Sequence, residues 1–201
     1  MTEAPSSEPK QRLLADAVEF LAANGIGDIS LRRLAAALGT SHRMLIYHFG
    51  SKDRLLVEVA RAVEQRQRAL LAELQLDPAT TAEEIARRFW GHLADPAMWP
   101  FERLFFELYG RALQGDPDTA ALLDGVVEQW LEPATEWHVR RGVPAETARA
   151  QARLGVAVTR GLLLDLLATG DRDGVQDAME HFLAMIGAAG YSSGGSHRSA
   201  R

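Results

Sequence analysis

Between Ser30 and Phe49 the chain spells two short helices joined at a single glycine, and few architectures accommodate that pattern. Ser30 is a helix cap, because its hydroxyl can accept from a backbone N–H of the first turn. Leu31, Leu34, Ala35 and Leu38 then fall on one face of a helix Leu31–Leu38. Gly39 ends it, Thr40 or Ser41 caps a second helix His42–Phe49, and Gly50 ends that one. Leu45 and Phe49 sit four residues apart and pack back on the first helix, and the small Ala35 lets the two cross closely. The spacing is that of a helix-turn-helix, whose second helix can enter a major groove. An ordinary helical hairpin with a polar surface has the same spacing, so spacing alone leaves both open.

The rest of the chain reads as helix too. Period-two alternation is lacking, the Asn24-Gly25 pair reads as a helix stop and not as a hairpin turn, and Gly, Pro and Asp divide the sequence into segments of helical period. The expected helices are Lys10–Ala23, Leu31–Leu38, His42–Phe49, Lys52–Leu76, Thr81–Ala94, Ala97–Gln114, Asp118–Arg141, Ala145–Ala168 and Arg172–Ala189. The fold class is therefore all-α with nine helices. The expected organisation is an unstructured arm 1–9, a helix-turn-helix domain 10–50, a connecting helix 51–76, a helical domain 77–189 and a Gly/Ser-rich tail 190–201.

Charge sharpens the picture. Net charge is −5, yet Ser30–Arg54 holds Arg32, Arg33, Arg43, Lys52 and Arg54 against Asp53 alone. A locally basic segment on an acidic body suits phosphate contact, and a solvated helix face suits it equally well. The chain has no cysteine, which excludes disulfides, thiol catalysis and thiolate metal sites. No apolar run approaches the roughly 18 residues of a membrane span, and Met1–Pro9 lacks the apolar core of a signal peptide. The expected location is the cytoplasm.

Residues 11–59 resemble the N-terminal domain of the TetR family of repressors. The resemblance rests on the Leu-Ala-Ala-Ala-Leu-Gly run at 34–39, on Tyr47-His48-Phe49, and on Ser51-Lys52-Asp53-Arg54-Leu55-Leu56. It implies a recognition helix at Thr40–Phe49, with His42, Arg43 and Met44 at its base-reading start and Thr40 and Ser41 among the DNA-binding residues. It implies phosphate contacts for Tyr47, His48 and Lys52, and for Arg32 a position that reaches a base in some members. It further implies a three-helix DNA-binding domain, a connecting fourth helix and a five-helix effector domain. Arg43, Met44 and Ile46 depart from the residues the family often carries there, which leaves the operator sequence open.

The second half is rich in aromatics. Phe89, Trp90, Trp99, Phe105, Phe106, Tyr109, Trp130 and Trp137 suit either helical core or an apolar ligand pocket, and the resemblance favours a pocket for a small apolar or aromatic effector. Glu128, Glu132 and Glu136 repeat every four residues near His138, but a solvated acidic face explains them better than a metal site. On the last two helices Leu154, Val158, Gly161 and Leu162 form one stripe and Val175, Met179, Phe182 and Ile186 another. They are core or, as the resemblance implies, the contact surface of a homodimer.

The sequence holds no nucleophile elbow, phosphate loop or metal-binding helix motif, so no enzyme, cofactor or metal is expected. The expectation is a dimeric regulator that binds a double-stranded, palindromic DNA operator and is released by a small molecule. The competing reading is a helical protein-interaction module that never meets DNA.

Overall fold

The structure, a computed structural model, describes residues 8–25, 29–77 and 79–192, with residues 187–192 described by backbone alone. Among the described residues nine α-helices run in chain order: α1 Glu8–Asn24, α2 Leu31–Ala37, α3 His42–Phe49, α4 Lys52–Leu74, α5 Ala82–Leu93, α6 Trp99–Leu113, α7 Glu128–Arg140, α8 Ala145–Thr169 and α9 Arg172–Ser192. No strand occurs among the described residues. The helical reading holds throughout, and most ends fall within two residues of expectation.

One expected helix divides. Instead of running from Asp118 to Arg141, the chain makes a single 3-10 turn at Ala120–Leu123 and starts α7 at Glu128. Asp124 is extended (φ −65°, ψ 105°), and Gly125 has φ +70°. A left-handed residue cannot continue a right-handed helix, and glycine adopts it without a Cβ penalty. Of the expected unstructured arm and tail, residues 1–7 and 193–201 lie outside the described residues, and 8–9 and 190–192 are helical.

The chain divides into two compact units that are not consecutive in sequence. One contains the residues up to Ala69 together with Pro96–Gln129, and the other Leu70–Asp95 together with the chain from Trp130. In the first, Ala17, Val18 and Leu21 of α1, Leu34 and Ala35 of α2, Leu45 and Phe49 of α3, Leu55 and Val59 of α4, and Leu104 and Leu108 of α6 share one buried cluster. Each such Leu or Phe contributes about 1.5–3 kcal/mol when withdrawn from water. α6 is thus part of the core that seats the helix-turn-helix.

In the second unit Ile85, Phe89, Trp90 and Leu93 of α5 are buried, as are Leu131 and Trp137 of α7. Leu163 and Leu166 of α8 and Val175, Met179, Phe182 and Leu183 of α9 are buried as well. Two polar contacts lock α5 to α9: Trp90 Nε1 donates to Gln176 Oε1 at 3.0 Å, and the Arg87 guanidinium grips both Glu180 oxygens at 2.8–3.1 Å. The bidentate bond draws the Glu180 carboxyl below its usual range. None of the described helices is long and apolar enough to cross a membrane.

Candidate nucleic-acid interface

Three serines and two glycines set the geometry of the hairpin. Ser30 Oγ accepts from Arg33 N at 3.2 Å, Ser41 Oγ from Met44 N at 3.1 Å, and Ser51 Oγ from Arg54 N at 3.2 Å. Each satisfies one amide that a helix start leaves without a partner. Gly39 at φ +63° turns the chain between α2 and α3, and Gly50 at φ +82° turns it between α3 and α4.

These turns rotate α3 so that Leu45 (1% exposed) and Phe49 (6%) face the core. Ser41, His42, Arg43, Met44 and Tyr47 then point outward, and Tyr47 is 76% exposed. Arg32 and Arg33 are exposed on α2, while Thr40 and Lys52 are half-buried. Among the described residues Arg32, Arg33, Arg43 and Lys52 enter no ion pair, whereas Arg54 does, with Asp118 at 3.1 Å. The hairpin therefore presents cations that no described residue neutralises, beside a tyrosine that is largely in solvent. Lys52 also stands at the start of a long helix, where the backbone dipole adds positive potential.

His48 differs from its neighbours. It is half-buried, its ring is edge-on to Tyr47 at 5.0 Å, and its Nε2 is buried with no hydrogen-bond partner among the described residues. Two supports escaped the sequence reading. Lys10 bonds Glu58 at 3.0 Å and lies 5.5 Å from the centre of the Phe49 ring, tying α1 to α4 and to the end of α3. Arg33, beside Arg32, is equally exposed; its place in the basic window was the available signal.

The aromatic set is divided between the two units. Phe89, Trp90, Trp130 and Trp137 belong to one, where the Phe89 and Trp130 rings lie 5.9 Å apart. Trp99, Phe105, Phe106 and Tyr109 belong to the other. There Phe105 and Tyr109 stack at 5.4 Å, and Phe105 is part of the helix-turn-helix core. No group of three or more His, Asp or Glu among the described residues is placed to hold a metal ion. Glu136 instead pairs with Arg140 along its own helix at 3.8 Å. His138 has its pKa lowered by burial, and further by the positive charge of Arg141.

On α8, Leu154 and Gly161 are exposed and Val158 and Leu162 half-buried. On α9, Val175, Met179 and Phe182 are packed within the monomer and Ile186 is half-buried. The outward apolar residues of α9 are instead Ala178, Ala184 and Met185. The stripe picked out by period is the core face of that helix.

Residues 13–59 match the model of a family described as bacterial regulatory proteins, tetR family. The HTH-type transcriptional repressor AcnR of Corynebacterium efficiens is 25% identical over 179 residues, covering 85% of this chain and 88% of that protein. Among solved structures, a transcriptional regulator from Rhodococcus sp. RHA1 aligns with a TM-score of 0.68 at 21% identity, over 88% of this chain and 95% of that one. Another from Saccharomonospora viridis, solved in complex with choline, aligns with a TM-score of 0.64 at 24% identity, over 90% and 95%. The likeness to these two structures is one of fold.

Proposed function

We propose that this chain, which belongs to the tetR family of bacterial regulatory proteins, is a homodimeric repressor that reads a palindromic operator with α3 and leaves it when a small apolar or aromatic ligand binds. The observation that carries the DNA-binding part is the rotation of α3. Leu45 and Phe49 are buried, so His42, Arg43, Met44 and Tyr47 stand outward beside unpaired cations. In this reading Arg43, with Arg32 from α2, makes the bidentate contacts that pick out guanine. Thr40, Ser41, His42 and Met44 fill the base-reading end of the helix. Tyr47 and Lys52 hold phosphates, which set register and carry no sequence information. His48, with Nε2 buried, steadies the end of α3.

A palindrome requires two recognition helices related by a twofold axis. The outward face of α8 fits that role: Leu154, Ala157, Gly161, Leu164 and Ala168 are all exposed and alternate by three and four residues, the seam of a close helix pair. Ala178 and Met185 on α9 extend it. In this reading residues 10–50 contact DNA, 51–76 connect and 77–189 supply effector and dimer contacts, although α6 within that span packs in the core of the first unit. Phe89, Trp90, Trp130 and Trp137 supply apolar surface for the effector, whose binding shifts the population of helix orientations through α4.

Fluorescence anisotropy with duplexes from upstream of the protein's own gene, at two salt concentrations, tests this reading. It predicts saturable binding to one palindromic segment, weakening steeply with salt as phosphate contacts release counterions. Absence of any salt-dependent DNA binding would replace it with the interaction-module reading.

A further inference from the structure

Behind the recognition helix, within the first unit, lies a cleft of about 320 Å³ that the DNA-reading role does not use. α1, α3, α4 and the turn Pro117–Ala121 line it. Its volume is at the lower end of small-molecule sites. Its lining is rich in charge: Lys10, Arg54 and Arg61 stand with Glu58 and Asp118, and Asp124 lies 3.8 Å from Arg61. Lys10 is committed to Glu58 and Arg61 donates to the Ala121 carbonyl. Arg54 uses Nε alone, on Asp118, and a guanidinium has two further nitrogens with four N–H donors. His48 lines the same cleft, and its buried Nε2 has no hydrogen-bond partner among the described residues. An imidazole nitrogen withdrawn from water without a hydrogen bond destabilises the fold, a cost that a ligand atom can remove.

We propose that this cleft is a binding site for a small oxyanion, a carboxylate or a phosphate, distinct from any effector site in the second unit. The anion accepts from the terminal nitrogens of Arg54 and from His48 in its Nε2–H tautomer. Occupancy ties the last turn of α3 to α4 and to the Pro117–Ala121 turn. Because α3 is the helix that meets DNA, a filled cleft changes operator affinity. That second clause rests on the proposed DNA-binding role; the site itself does not.

The test uses full-length protein with malonate and inorganic phosphate as separate probes, at ionic strength held constant with chloride. Calorimetry should show saturable binding of one probe. The His48 imidazole resonances should move over the same concentrations. Arg54→Gln should weaken binding at least tenfold, while Arg54→Lys, which keeps the charge but loses the fork, falls between. Circular dichroism confirms that each variant is folded. Which probe saturates distinguishes carboxylate from phosphate. If neither saturates, or if Arg54→Gln binds as the parent does, the site is refuted while the DNA-binding role stands. If the cleft fills and operator affinity at constant ionic strength does not change, its regulatory role is refuted. A protein that binds anion but no DNA would sink the regulator reading and leave the site.

Discussion

Arg111 of α6 holds Asp53 in the first turn of α4: its Nη2 lies 2.6 Å from Asp53 Oδ2 and its Nη1 3.2 Å from Oδ1. The same guanidinium also bonds Asp116 Oδ2, through Nε at 2.9 Å and Nη2 at 2.6 Å. Asp116 in turn accepts from the Asp118 amide at 2.9 Å, and Asp118 accepts from Arg54. One arginine thus connects the end of α6, the turn after it and the start of α4. Arg111→Ala should lower the midpoint of thermal unfolding by roughly 2–4 °C, the equivalent of about 1 kcal/mol in a chain of this size. Arg111→Lys should recover only part of it, since a point charge cannot serve both carboxylates.

The same network predicts a dependence on acid. The Asp118 amide, then Arg111, hold the Asp116 carboxyl below its ordinary 3.8. A depressed carboxyl contributes stability that is fully present above its unfolded value and is lost as pH falls through the folded one. The stability difference between parent and Arg111→Ala should therefore be constant from pH 5 to 7 and shrink below about pH 4. Thermal melts at pH 3 and pH 6 measure it, and an unchanged difference at pH 3 would contradict the assignment.

His138 gives a second window, in the second unit. Burial, and then Arg141, lower its pKa from 6.5. The unfolded chain therefore binds a proton more readily, and stability contributed above 6.5 is lost as pH falls toward the folded value. Midpoints measured from pH 8 to 5 should decline below about 6.5, and His138→Gln should flatten that decline.

Gly39 carries φ +63° with no atom within 4 Å of where a Cβ would stand. The cost of a side chain there is conformational rather than steric. Gly39→Ala should destabilise the protein by about 1 kcal/mol, Gly39→Asn by less, and Gly39→Val by more. Denaturant titration ranks the three. Equal effects would mean that the turn does not depend on a left-handed residue.

On the proposed dimer face Leu164 is 52% exposed while its neighbours Leu163 and Leu166 are buried. Leu164→Lys should leave the helical content intact and convert the dimer to monomer in sedimentation. Met179→Lys, by contrast, should unfold the protein, because Met179 is 2% exposed in the monomer and a buried unpaired ammonium is not tolerated.

The contrast between these residues shows what the sequence could and could not convey. Ser30, Gly39, Ser41, Gly50 and Ser51 each carry their own conformational preference, so the ends of α2, α3 and the start of α4 were legible residue by residue. Leu45 and Phe49 were legible as inward because they fall four residues apart, where they pack back on α2. On α9 there are two, Val175–Met179–Phe182 and Ala178–Met185, and helical period cannot say which one its own unit buries. The break at Asp124-Gly125 was hidden inside a long polar-apolar segment, where one glycine weakens a helix without forbidding it. The Arg111–Asp53 bond and the seat of Lys10 on Phe49 join residues far apart in sequence, and no local pattern announces such pairs. The aromatics between 89 and 137 suit core or pocket alike in sequence, and it is α6 that carries Phe105 into the core of the first unit with Tyr109 packed against it.

The central claim is that α3 reads bases while the start of α4 holds phosphate, and binding by Arg43→Ala and Lys52→Ala to the operator and to single-base variants of it tests that most directly. Arg43→Ala should lose about 1–3 kcal/mol on the operator and flatten the preference at one base pair in each half-site. Lys52→Ala should weaken every sequence alike and reduce the salt slope by about one. If Arg43→Ala kept the full sequence preference, or if both changes left DNA affinity untouched, α3 would not be the reading helix.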